Sequence, residues 1–315
     1  MDGKVIAVAL NPSIDRTIQI QALQPYELNR VVHSETDPGG KGINVARVLH
    51  NFQTEAIVTG FVAGSTGHSL LTFLQQKQIS QDFLEIEGET RTNVKAFDRK
   101  AHKTTEFNES GCPVSPADLQ AFRKKFQSLC QGANIVVLSG SLPPRVPQDI
   151  YAQLIGIAKE QGAKTILDAD GEALHEGLKS TPYAVKPNIH ELEQLMGKKL
   201  QTPQDVLQAA HELIQSGISL VIVSMGADGA VVADAQEAFR VHSWDIPVQS
   251  ATGAGDSMVG SLAYALLHGL SLREIAQLTT AAGTITASKP GTQVCGQAEV
   301  MKSIPLVTVE PMKMA

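Results

Sequence analysis

Aromatic residues are scarce in this chain, with one tryptophan, Trp244, and four tyrosines in 315 residues. Few ring faces are left on which nucleic-acid bases would stack. Positive charge is not in excess either: the formal balance is -6, which gives no electrostatic footprint for a phosphodiester backbone or an anionic membrane surface. The three cysteines, Cys112, Cys130 and Cys295, stand far apart without the close pairs of a zinc site. Their odd count fits reduced thiols in the cytoplasm, the expected compartment. The histidines show no metal-ligand spacing. No apolar run is long enough to cross a bilayer, and VIAVAL at 5–10 is too short for a signal peptide, so it predicts a first strand. Nucleic acid and membrane are therefore not expected as partners. Also missing are a strand-linked G-x-G-x-x-G and any G-x-x-x-x-G-K followed by Ser or Thr, which argues against dinucleotide and P-loop readings. No internal repeat or low-complexity linker breaks the chain.

What is present is apolar content of 43%, enough to bury a large core in one α/β domain spanning 1–315. IVVLS at 135–139, TILD at 165–168, AVKP at 184–187 and LVIVS at 220–224 predict buried strands. Between them, Leu119, Phe122, Phe126 and Leu129 recur at helical spacing, and Thr202-Pro203 opens a second helical stretch. Alternation of strand and helix implies a mainly parallel central sheet with helices on both faces, a three-layer arrangement whose ligands sit beyond the carboxyl ends of the strands. The first third differs. SIDRTIQI at 13–20, LNRVVHSE at 28–35, RTNVKAFD at 91–98 and KTTEF at 103–107 mix polar and apolar residues. They predict a small, exposed β-sheet lid built from insertions around 12–36 and 90–108, able to close over a ligand or to pair with a second copy.

Two glycine clusters carry the chemistry. TGAGDSMVG at 252–260 runs into an apolar helical face, Val259, Leu262, Ala263, Leu266 and Leu267, stopped by Gly269. Gly253, Ala254, Gly255 and Asp256 thus fall at a helix start, where small side chains let backbone amides approach an anion and the helix dipole adds positive potential. An acid there serves either as a helix cap or as proton acceptor for an attacking hydroxyl, beside an anion hole of amides. PGGKGINVARVL at 38–49 is the second cluster, again leading into a helix.

GGKGINVAR and TGAGD together resemble the PfkB family of ribokinase-fold carbohydrate kinases. SGSLPP at 139–144, KPNIHE at 186–191 and SMGADGA at 224–230 follow in the family's order, so the resemblance spans nearly the whole chain. NPSID at 11–15, NR at 29–30, TRTNVK at 90–95 and DADGEAL at 168–174 together look most like the branch whose members phosphorylate sugars that already carry a phosphate. Fructose 1-phosphate is the first expectation, with tagatose 6-phosphate and fructose 6-phosphate next and a silent sugar-phosphate sensor as the non-enzyme alternative.

The resemblance implies a role for each matching position. Gly253, Ala254 and Gly255 would form the anion hole and Asp256 the base. Asp15, Gly39, Gly40, Lys41, Asn44, Asn93 and Ser139 would hold the sugar, while Arg30 and Arg91 grip its phosphate. ATP would lie along Lys186, Asn188, Ser224, Gly226, Gly229, Thr252, Gly253, Gly255 and Gly283, its adenine against AAGTITA at 281–287. Asn188 and Glu191 would orient Mg²⁺ through water, and a monovalent cation is a further candidate. A homodimer through the lid is implied as well. Ala251 departs from the family, which usually has Ser or Thr there.

Several of these residues have plainer readings. Arg30 and Arg91 read equally as solvated charges on exposed strands. Lys41 and Lys186 read as surface cations, Glu191 as a first-turn acid complementing its helix dipole, and the AAGTITA helix at 281–287 as core packing only.

Overall fold

The computed structural model describes residues 3–313. A ten-stranded sheet runs through the centre. Seven strands are parallel, in the spatial order Leu84–Ile86, Ala56–Ala63, Lys4–Ala9, Ala133–Ser139, Lys164–Asp168, Ala184–Val185 and Leu220–Ser224. Three antiparallel strands, Ala230–Asp234, Ala238–His242 and Thr308–Pro311, extend one edge.

Side-chain alternation sorts the core onto two faces. Val5, Ala7, Ile135 and Val137 point to one side, under helices Lys41–Asn51, Ala254–Leu267 and Leu272–Ala287. Ile6, Val8, Val136 and Leu138 point to the other, under Pro116–Cys130, Ile150–Glu160 and Pro203–Gln215. A period of two along each strand requires this. Burial of both faces explains why these strands read as continuous apolar runs. Among the described residues no helix is long and apolar enough to cross a membrane.

A separate four-stranded sheet has the order Val31–Gly39, Ser13–Ile20, Arg91–Asp98 and Lys103–Phe107. Three of these strands match the sequence reading. The fourth starts at Val31 rather than Leu28 and runs on to Gly39, because the residues before it form the hairpin loop. Of the eight large apolar side chains that are exposed among the described residues, five (Tyr26, Leu28, Val31, Val32 and Phe107) belong to this sheet or its loop.

Candidate active site

Four neighbouring parallel strands end in a row of polar groups. Ser139 closes one and pairs in register with Asp168, which closes the next. Lys186 follows the third, and Ser224 closes the fourth. This is the carboxyl edge where an open α/β sheet takes its ligands. Asp168 is 1% exposed and lies 3.3 Å from Nζ of both Lys41 and Lys186. Burial pushes its carboxyl upward, but the two ammonium groups outweigh that and hold it below the ordinary carboxylate range. Burial lowers the Lys41 ammonium, and Asp168, Asp256, Glu191 and Asp170 together more than reverse this, so its proton is held tightly. The plainer reading of Lys41 and Lys186 as surface cations is therefore set aside. Oδ2 of Asp168 and Oγ of Ser139 are buried and make no hydrogen bond among the described residues.

Opposite this row stands the start of helix Ala254–Leu267. Gly253 is its N-cap in the left-handed region, φ 81°, and no side chain caps the helix. The first-turn amides of Gly255 and Asp256 have no preceding turn to donate to, so they stay available to an anion. A Cβ on Gly255 would sit 3.4 Å from Lys186 Nζ, so this turn and that ammonium are direct neighbours. Asp256 is not the cap. It occupies the third helical position, is 7% exposed, and accepts a hydrogen bond from Asn44 Nδ2 at 2.8 Å.

Asn44 reaches Asp256 because two helices pack closely. A Cβ on Gly260 would meet Val48 Cβ at 2.8 Å, and these residues lie one turn on from Asp256 and Asn44 respectively. The missing side chain lets the axes approach until the amide and the carboxylate touch. Burial, then the nearby Asp168 charge, push the Asp256 carboxyl up to about 6, against Lys41, Asn44 and Lys186, which lower it. A carboxylate poised there is suited to accept a proton near neutral pH.

The small sheet contributes a second buried polar cluster. Asp15 accepts from Ser13 Oγ at 2.7 Å, Asn93 Nδ2 at 3.0 Å and Lys95 Nζ at 2.7 Å. Glycine is required at position 39, since a Cβ there would stand 2.3 Å from Asp15 Oδ1. Gly40, φ 108°, then caps the helix that carries Lys41 and Asn44. Arg91 shares a strand face with Asn93 and Lys95, and it donates to the carbonyls of Asn11 and Glu109.

Other expected positions separate into those the fold gathers and those it does not. The backbone amide of Ser224 donates to the Pro187 carbonyl, and Asn188 bridges to Ser224. The turn Gly226–Asp228 and Gly229 follow, with a Cβ on Gly229 only 2.0 Å from the Val241 carbonyl oxygen. Thr252 precedes the helix start, its amide donating to Ser250 Oγ. Asn188 and Glu191 form a reciprocal capping box for helix Ile189–Met196, each side chain accepting from the other's backbone amide. The helix-start role read for Glu191 is thus occupied, while its Oε1 makes no protein hydrogen bond among the described residues.

Two positions lie at the margin of these clusters. Gly283 is buried between helices, where a Cβ would meet Met258 Cγ at 2.9 Å and the Ala254 carbonyl oxygen at 3.4 Å. Its backbone lets the two helices pack closely, and Ala281 and Ala282 beside it are buried as well. Arg30 is exposed beyond the far end of the hairpin, where Val31 pairs with Ile20 while Asp15 pairs with Asp37. Five residues at about 3.4 Å each place it some ~17 Å along the sheet from Asp15. Within one chain it does not join the cluster.

Asp168 and Lys95 belong to these two clusters although motif reading did not nominate them. Both lie inside quoted motifs, and Asp168 carried a usable signal as the last residue of a parallel strand.

A family model described as pfkB family carbohydrate kinase matches residues 8–299. The chain belongs to that family, and so is a carbohydrate kinase, an enzyme that transfers phosphate to an alcohol group. It is 35% identical over 283 residues to a 1-phosphofructokinase of Bacillus subtilis, covering 90% of this chain and 92% of that one. A 1-phosphofructokinase of Xanthomonas campestris is 37% identical over 286 residues, covering 89% and 90%. Among solved structures, phosphofructokinase-2 from Escherichia coli in complex with potassium superposes with a TM-score of 0.92 at 31% identity, covering 96% and 98%.

Proposed function

We propose that the chain is an ATP-dependent 1-phosphofructokinase that converts D-fructose 1-phosphate and ATP to D-fructose 1,6-bisphosphate and ADP. The observation that carries this reading is Asp256, a buried carboxylate pushed up to about 6 in the first turn of an uncapped helix. The sugar's free primary hydroxyl attacks the terminal phosphorus, and Asp256 takes its proton. The bond from phosphorus to the bridging oxygen breaks, and that electron pair leaves with ADP. The free amides of Gly255 and Asp256, joined by those of Gly253 and Ala254 once the latter gives up its 3.4 Å bond to the Ala251 carbonyl, receive the equatorial oxygens of the migrating group. Lys41 and Lys186, held by Asp168, offset the accumulating negative charge.

Asp15 and Asn93, with Gly39, Gly40, Asn44 and Ser139, orient the sugar, while Arg91 and Lys95 face its existing phosphate. Ser224, Gly226, Gly229 and Thr252 border the nucleotide. Hard carboxylate oxygens suit a magnesium ion held through water, and Glu191 beside Asn188 is so placed, the metal supplying charge neutralisation on the phosphates. The potassium-bound relative supports a monovalent cation as a further ligand, checked by turnover in potassium against choline salts.

Identity to two proteins named 1-phosphofructokinase favours fructose 1-phosphate, while likeness to the Escherichia coli phosphofructokinase-2 in complex with fructose-6-phosphate favours fructose 6-phosphate. A coupled ADP-release assay over fructose 1-phosphate, tagatose 6-phosphate, fructose 6-phosphate and fructose decides between them. We expect the highest kcat/KM for fructose 1-phosphate, and preference for another sugar overturns that choice. The exposed apolar side chains of the small sheet support a homodimer through it, and sedimentation at twice the 33.6 kDa chain mass is expected.

A further inference from the structure

Arg47 lies one turn beyond Asn44 on the same helix and donates from Nη1 to Asn44 Oδ1 at 3.0 Å. The other end of that carboxamide, Nδ2, donates to Asp256 Oδ2 at 2.8 Å. A carboxamide has one accepting end and one donating end. With a guanidinium on the accepting end, the donating end has one way to face. Turned over, the amide would set its oxygen against a carboxylate oxygen and its NH₂ against guanidinium N–H groups, a repulsion at both contacts.

We propose that Arg47 is a positioning residue for the phosphoryl-transfer reaction: it fixes the Asn44 carboxamide so that a donor stays on Asp256 Oδ2 and Oδ1 is left for the sugar's proton. The inference rests on the reading of Asp256 as the base. The surroundings fit a fixed guanidinium. Burial is the main influence lowering its pKa, countered by Asp37, Asp15 and Asp256, and a guanidinium stays charged regardless. Its outer side lines a cavity of about 380 Å³ together with Asp37, His50 and Lys77. Small solutes therefore have a route to the place the guanidinium occupies. The charged groups that act on Asp256 are Asp168 from its strand, Lys41 from Asn44's own helix and Lys186 beside Gly255, and Arg47 itself, since its coupling to Asp256 is mutual. Changing Arg47 leaves the first three in place, and the direct loss of its charge persists when Asn44 is absent, so an Asn44→Ala background separates it from an effect passed through the amide.

Arg47→Met keeps the aliphatic stem and removes the donors. Turnover should fall about tenfold with KM for ATP changed less than about twofold. The acid limb of the kcat profile should move up by roughly half a pH unit or more, partly from the lost guanidinium charge and partly because an amide free to turn its oxygen to Asp256 favours the protonated acid; on an Asn44→Ala background only the first part should remain. Arg47→Lys should recover part of both, and added guanidinium should raise turnover of Arg47→Ala through the cavity. On an Asn44→Ala background, Arg47→Met should cost less than about a further twofold, as expected when one residue acts through another. An unmoved acid limb, a limb that moves as far on the Asn44→Ala background as in the natural chain, or losses that simply multiply with Asn44→Ala would overturn the proposal. Asp256→Asn in the same assay separates the two ideas: if it turns over normally, the base assignment falls, and if it is impaired while the Arg47 variants are not, only this inference falls.

Discussion

Two buried aspartates face each other across the candidate site, and their surroundings drive them in opposite directions. Asp168 ends a parallel strand between two lysines and is held ionised. Asp256 begins a helix with a neutral amide as its hydrogen-bond partner and feels Asp168 as a like charge, so its proton affinity rises to about 6. Burial penalises both, and the difference lies in who pays that penalty back. One carboxylate is structural wiring that keeps two cations in place. The other is left partly uncompensated, which is the condition for exchanging a proton near neutral pH.

The largest expected effect breaks this pair at its reactive member. Asp256→Asn should lower kcat on the order of 10²–10⁴-fold, the range for losing a general base, with substrate binding retained. Stopped-flow or steady-state turnover against binding by calorimetry checks it, and normal turnover removes Asp256 from the mechanism. Next comes Asp168→Asn, which strips both lysines of their counter-charge. Breaking a buried ion pair on one side costs about 3–5 kcal/mol, and urea unfolding at neutral pH should show a loss of that order. In whatever fraction folds, the acid limb of kcat should shift to lower pH, because the like charge raising Asp256 has gone. A limb that stays put means the two acids do not communicate.

Much of this contrast lay open in the sequence. TGAGD before a helical apolar face put Asp256 at a helix start, and GGKGIN put Lys41 and Asn44 at another. The central strands were legible because both their faces are buried, so periodicity did not have to distinguish inside from outside. What stayed hidden depends on contacts between distant segments. Nothing local in TILD tells that Asp168 meets lysines 127 positions before it and just beyond the next strand. The role of Gly260 exists only once Val48 is opposite it. Arg30 is a related case: its neighbours in sequence belong to the lid, but within one chain the register of the hairpin carries it away from Asp15. Gly283 stays open to two readings because small residues suit both nucleotides and helix crossings, and its crossing with Met258 is the one visible in the fold.

The smallest effect gives the sharpest test of the comparison, because it reads Asp256 without any substrate. Its pKa rises from 3.8 in the unfolded chain to about 6 in the fold, so between those values the native state binds more proton than the unfolded one. Stability contributed by the protonated form is present at low pH and is lost as pH climbs through about 6. Above that pH the ionised side chain weighs against folding by something on the order of 1–3 kcal/mol. Asp256→Asn removes the charge while its carboxamide oxygen still accepts from Asn44. The variant should therefore unfold at higher urea than the natural chain at pH 8, and the gap should close at pH 4. Asp168→Asn should show the reverse, a deficit at pH 8 that narrows on acidification, since its carboxyl is depressed by the lysines. If Asp256→Asn is no more stable at pH 8, the carboxylate is satisfied where it sits, and a poised base is no longer the reason for its burial.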